Sequence, residues 1–205
     1  MKKLLLLFFL CVFNFCYSQE NNKSLLLSRI ESENLIDSIK HPAIVKVVNE
    51  KRQWTKNFEY IDSLSVSKIR YLSDNLKVNG YIVQPKKKGQ YPCVIWNRGG
   101  VKEYGALNMI RVLAMLGKLA KEGFVVIATQ YRGNGGSEGQ EEYGGAEIND
   151  VLNLIKVLED IPNADTSKIG MFGGSRGGMM TYIALKPIKS KQQQYWLLHQ
   201  MSAKV

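Results

Sequence analysis

One stretch, from Lys168 to Leu185, limits what this chain can fold into more than any other. Ile169-Gly170-Met171-Phe172 reads as a strand buried on both faces, and Met179-Met180-Thr181-Tyr182-Ile183-Ala184-Leu185 reads as a helix. Between them lies only Gly173-Gly174-Ser175-Arg176-Gly177-Gly178. A strand that passes into a helix this abruptly must strain the residue at the corner. The flanking residues must be small, because neighbouring backbone passes close by. The corner serine is left at the edge of a sheet, and the helix N-terminus aims free N–H groups and partial positive charge at it. Ser175 is therefore the candidate nucleophile, and the Arg176 N–H is the candidate first donor to an oxyanion.

The same G-x-S-x-G string occurs a second time, at Gly135-Gly136-Ser137-Glu138-Gly139. Here no strand runs directly in, and Gln140-Glu141-Glu142 follows in place of a helix. Ser137 reads as a loop residue. Gly133-Asn134-Gly135 opens no helix either, so a dinucleotide-binding reading is set aside.

The surrounding sequence alternates strand and helix. Val66–Tyr71 and Leu76–Gln84 read as strands joined by a turn at Ser73-Asp74-Asn75, and Tyr91–Trp96 as a short buried strand. Ala106–Lys121 has a helical apolar face in Leu107, Ile110, Leu113 and Leu116, and Gly123 ends it. Phe124–Thr129 is a strand, and Ala146–Asp160 is a helix stopped by Pro162. Asn163–Ser167 is a turn into the strand Lys168–Phe172. Such alternation predicts an α/β fold, a three-layer sandwich with a mostly parallel sheet and right-handed crossovers. The Gly-rich loops after Trp96, Thr129 and Phe172 then share the edge where sites form in such sheets. Gly99 and Gly100, in the first of these loops, let a backbone N–H approach Ser175 and are the candidate second wall of an oxyanion hole.

Residues ahead of the sheet read differently. Met1-Lys2-Lys3, an apolar run to Cys16 and then Tyr17-Ser18 have the layout of a secretory signal peptide over 1–18. An uncleaved anchor is the alternative. The expected location is outside the cytoplasm, periplasmic or secreted, with no stable membrane insertion after cleavage. Residues 19–63 are expected to form a helical leader. Leu25, Leu26, Ile30, Leu35, Ile36 and Ile39 share one face of its first helix, and a weaker helix runs from Ala43 to about Trp54. Residues 64–189 are the α/β domain, and 190–205 are a tail foreign to it.

Charge excludes little. The chain carries a formal +10, and loss of residues 1–18 removes two lysines and no acid, leaving +8. The lysines are scattered. Lys86-Lys87-Lys88 reads as an exposed hairpin tip, so no nucleic-acid partner is expected. Of the three cysteines only Cys93 lies beyond residue 18. No intramolecular disulfide, metal site or cofactor is expected.

Taken together, Tyr81-Ile82-Val83-Gln84-Pro85, Tyr91–Gly100, Tyr131-Arg132-Gly133-Asn134-Gly135-Gly136, Glu147-Ile148-Asn149-Asp150-Val151 and Lys168–Gly178 resemble, in order and spacing, the catalytic domain of the prolyl oligopeptidase family. These are serine peptidases with the alpha/beta-hydrolase fold. The resemblance covers about Val66 to Leu185. It implies Ser175 as nucleophile, the Arg176 N–H in the oxyanion hole, and Asn97–Gly100 as its other wall. Family members often carry His-Gly-Gly where this chain has Arg98-Gly99-Gly100. Peptidases of the family usually place a large β-propeller ahead of the hydrolase domain, whereas here only some forty residues precede it. That keeps ester or lactone substrates open beside small peptides.

The resemblance also implies a catalytic Asp and His on later strands, and this sequence shows neither. His41 reads as a helix-end residue, and His199 follows Ser175 too closely. Asp150 reads as a helix residue and Asp165 as a turn residue. The polar, broken run Lys186–Gln194 replaces an expected strand, which suggests a truncation or frameshift near residues 186–190. An inactive fragment or binding module is therefore a further reading. On this reading the sheet ends at the strand that carries Ser175.

Overall fold

The computed structural model describes residues 24–33, 35–39, 44, 47–186 and 197–198. Segment 1–18, expected to be a signal peptide, lies outside them, as do His41, His199 and nearly all of 190–205.

A single sheet organises the molecule, with strand order β1-β2-β3-β5-β4-β6-β7. The strands are β1 Leu26–Glu31, β2 Leu64–Ser73, β3 Leu76–Pro85, β4 Tyr91–Asn97, β5 Val125–Thr129, β6 Ala164–Gly173 and β7 Leu197–Leu198. The first three strands and β5 pair antiparallel, while β5, β4, β6 and β7 pair parallel. The parallel half is the core. In β4, Val94 and Trp96 face one hydrophobic cluster, and Cys93 and Ile95 face another. A strand buried on both faces must be apolar throughout, which is why Tyr91–Trp96 shows no polar alternation.

Helices cover both faces. The helix α1 runs in three pieces, Met109–Arg111, a π-type turn Val112–Leu116, and Gly117–Ala120. Its N-cap is Asn108, whose side chain accepts from the Arg111 N–H at 3.0 Å. Val112, Leu113, Leu116 and Ala120 pack on the face with Val94 and Trp96. On the opposite face lie α2 (Ile148–Glu159) and α3 (Arg176–Leu185). They contribute Val151, Leu154, Val157, Leu158, Met180 and Ala184.

The β2–β3 hairpin turns on Asp74 and Asn75, with φ of 50° and 63°. Two central residues at positive φ make the turn whose twist matches that of the strands. Lys86-Lys87-Lys88 is exposed as expected. It is not a hairpin tip, because β5 lies between β3 and β4 in the sheet. The strand β6 begins earlier than its sequence suggests, and a register shift between Pro92 and Cys93 absorbs the irregularity near Asp165–Lys168.

The helical leader is corrected by the structure. Leu26–Glu31 is a strand paired antiparallel with β2. Residues 47–54 form a turn closed by a bridge between Val48 and Trp54. Helical order among the described leader residues includes a single turn at Leu35–Ser38 and 3₁₀ geometry at Ile44 and Glu59–Ser63. The cause is the outer edge of β2. Its unpaired N–H and C=O groups need a partner, and six residues of mixed pattern supply one. The sheet also does not end at β6, because Met171 and Phe172 pair with Leu197 and Leu198.

Candidate active site

Ser175 sits at the corner between β6 and α3 with φ 54° and ψ −128°. Few non-glycine residues adopt this conformation, and holding it costs on the order of 1–3 kcal/mol. Close packing of the flanks enforces it. A Cβ on Gly173 would lie 2.2 Å from the Gly177 carbonyl oxygen, and one on Gly177 would lie 2.0 Å from that of Asn97. The helix side is pinned as well, since Asn97 Nδ2 donates to Thr181 Oγ1 at 2.9 Å and Thr181 donates to the Gly177 carbonyl at 2.8 Å.

The serine is exposed. Its side chain does not cap α3, and its hydroxyl has no hydrogen-bond partner among the described residues. The Gly177 N–H donates to Gly174, and the Gly178 and Met179 N–H groups donate to the Ser175 carbonyl. The Arg176 N–H has no hydrogen-bond partner among the described residues. The loop after β4 arrives beside it, so close that a Cβ on Gly99 would sit 3.0 Å from the Gly174 carbonyl oxygen and 3.6 Å from Ser175 Cβ. Gly100 takes φ 74°. The structure thus brings together Ser175, Arg176, Gly99 and Gly100, which the sequence placed far apart.

Ser137 stays in the loop after β5. Its hydroxyl accepts from the Asn79 N–H at 3.0 Å, and its own N–H donates to Asn134. Asp150 is buried in α2 and accepts from Arg132 at both oxygens, from Nη2 at Oδ1 at 2.8 Å and from Nε at Oδ2 at 3.2 Å. Asp165 pairs with Lys168 at 2.8 Å on the surface. Both carboxylates are committed to structure. Neither histidine is among the described residues.

Sequence reading missed what lies behind the corner. The Arg176 side chain is buried and pairs with Glu141 and, at 2.7 Å, with Glu147. Arg98, 1% exposed, lies 3.5 Å from the same Glu141 oxygen and donates to the Gln130 carbonyl at 2.9 Å. Both guanidiniums lie over the Tyr131 ring, with Arg98 at 4.9 Å and Arg176 at 5.0 Å. Tyr131 has φ 64° and donates its hydroxyl to the Arg98 carbonyl at 3.1 Å. Burial pushes the Glu141 carboxyl up. Hydrogen bonds from Arg176 and the Lys102 N–H, with both arginine charges, outweigh it and hold the group below the usual carboxylate range. Glu147 is lowered too. Burial opposes, and N–H groups including that of Gly144, together with Arg176, prevail. One signal was available: Arg98 and Arg176 stand at the ends of buried strands, and buried arginines require counter-charges.

A strained serine between a parallel strand and a helix, with a Gly-rich loop from the neighbouring strand packed beside it, is the corner of an alpha/beta hydrolase. Solved structures agree on the fold. Esterase Pf2001 of Pyrococcus furiosus is 28% identical with a TM-score of 0.51, over 67% of this chain and 49% of that one. Esterase Est22 is 22% identical with a TM-score of 0.54, over 68% of this chain and 45% of that one.

Residues 112–195 match the model of the prolyl oligopeptidase family. The uncharacterized peptidase YtmA of Bacillus subtilis is 34% identical over 134 residues, 65% of this chain and 49% of that protein. The chain spans about half the length of the curated relatives it matches.

Proposed function

We propose that the chain carries the nucleophile half of a serine hydrolase that cleaves small peptides through an acyl-enzyme on Ser175. The observation that carries this is the strained, exposed Ser175 with the Gly99–Gly100 loop packed beside it and no intramolecular acceptor for the Arg176 N–H among the described residues. In this reading Ser175 Oγ attacks the carbonyl carbon, and the carbonyl oxygen takes the negative charge. The N–H of Arg176, with those of Gly99 and Gly100, receives that oxyanion. The positive end of α3 adds to the stabilisation. Collapse of the intermediate expels the amine and leaves an ester on Ser175, which water then hydrolyses. A general base must take the serine proton, and none stands beside Ser175 among the described residues.

The family match and the likeness to YtmA support a peptide substrate. The likeness to the Pyrococcus furiosus esterase supports a second reading, in which the same steps act on an ester. The layout of residues 1–18 supports export, which would place the substrate outside the cytoplasm.

A fluorophosphonate probe tests the reading. The purified chain is expected to be labelled at Ser175 and not at Ser137, as located by peptide mass spectrometry. A folded chain that takes no label at Ser175 overturns it. Turnover of a peptide anilide against a nitrophenyl ester then separates the two substrate classes.

A further inference from the structure

We propose that Glu141 is the positioning residue that holds the two walls around Ser175 at a fixed spacing. One of its oxygens faces both Arg98, on the loop after β4, and Arg176, the residue after the serine. The other accepts from the Lys102 N–H at 2.8 Å, further along that first loop. Arg176 also donates to the Gly100 carbonyl at 3.0 Å. A single carboxylate, 6% exposed, therefore ties segment 98–102 to segment 175–177. Glu147 touches Arg176 and makes no contact with Arg98, so it holds one wall only. Tyr131 lies against both guanidiniums and supplies no charge.

The physical need is clear. Hydrogen bonds to an oxyanion work only when donors from both walls sit at the right distance together. The two walls come from different strands, and the loop at Gly99–Gly100 has no side chains to lock it. A buried carboxylate between two arginines supplies that lock, and losing it leaves Arg98 without its ion-pair partner and Arg176 with Glu147 alone.

The catalytic consequence rests on the reading of Ser175 as nucleophile, while the tie between the walls does not. Hydrogen exchange read by mass spectrometry tests the tie alone. In Glu141→Gln, peptides covering 98–102 and 174–178 are expected to exchange about tenfold faster together. Glu138→Gln, an exposed position in the same loop, is expected to change neither. Faster exchange confined to residues 139–143, or in only one wall, overturns the proposal.

Glu141→Asp keeps the charge with one methylene fewer and is expected to loosen both walls less. If Glu141→Gln fails to fold, this variant carries the test, and wild-type exchange in both walls then counts against the proposal. Fluorophosphonate labelling tests the consequence. Labelling at Ser175 is expected to fall about 10²-fold in Glu141→Gln, with kcat reduced and KM little changed, and to recover in part in Glu141→Asp. Unchanged labelling with both walls loosened refutes the catalytic role. An unlabelled wild-type chain whose walls remain coupled overturns the hydrolase reading and leaves the tie standing.

Discussion

The two G-x-S-x-G segments share a five-residue pattern and almost nothing else. Ser175 is set at positive φ between β6 and α3, with its hydroxyl free and exposed. Ser137 has ordinary backbone and spends its hydroxyl on the Asn79 N–H. The glycines differ in purpose too. Around Ser137 they serve positive φ, at 55°, 77° and 86° for Gly135, Gly136 and Gly139. Around Ser175, Gly173 and Gly177 keep negative φ and are required by contact with neighbouring backbone. A string specifies residue types, whereas reactivity at such a corner depends on what packs around them.

The sharpest way to break this contrast is exchange of the hydroxyls. Ser175→Ala is expected to abolish fluorophosphonate labelling, and Ser137→Ala to leave its rate within about twofold, since a surface loop substitution rarely reaches further. Labelling that survives in Ser175→Ala would reverse the assignment.

Next comes the packing of the corner. Gly177→Ala places a Cβ 2.0 Å from the Asn97 carbonyl oxygen, which must move, and about 3 kcal/mol of stability is expected to be lost. Gly174→Ala meets nothing within 4 Å and is expected to stay within about 0.5 kcal/mol of wild type. Denaturant midpoints of the two variants check this, and equal values would show that the corner is not packed as described.

Acid titration gives a smaller effect. Glu141 and Glu147 have folded pKa values below their unfolded ones. Their contribution is therefore complete above the unfolded carboxylate value of about 4.3 and is lost as pH falls below it toward the lower folded values. Thermal melts from pH 6 to pH 3 should show that loss, and Glu141→Gln should flatten it. In the other segment, Ser137→Ala leaves the Asn79 N–H without its acceptor, and about 1 kcal/mol of stability is expected to go, less than for Gly177→Ala.

Much of this was legible in the sequence. The strands β2 to β6 and the helices α1 to α3 lie where apolar runs and periodicity predict them, with ends differing by a few residues. Two kinds of feature were not legible. One is β1, because Leu25, Leu26 and Ile30 suit a helical face as well as they suit pairing with an edge. In the strand, Ile30 is 68% exposed, so helical spacing gave the wrong partner set. The other is the charged cluster behind Ser175. Gln140-Glu141-Glu142 looks like any solvated loop, yet Glu141 and Glu147 are buried against arginines from the loop after β4 and the start of α3.

The sequence by itself determined the class of fold and the serine at its corner, since periodicity, small flanks and a strand-to-helix junction are local and are written in consecutive residues. Only the tertiary structure decided which loop lies beside that serine and which carboxylate pairs with the arginines on both sides. Arg98, Glu141 and Arg176 meet because β4, β5 and β6 end on one edge of the sheet. Contacts between loops so distant in sequence arise from strand order and register, which no local pattern encodes.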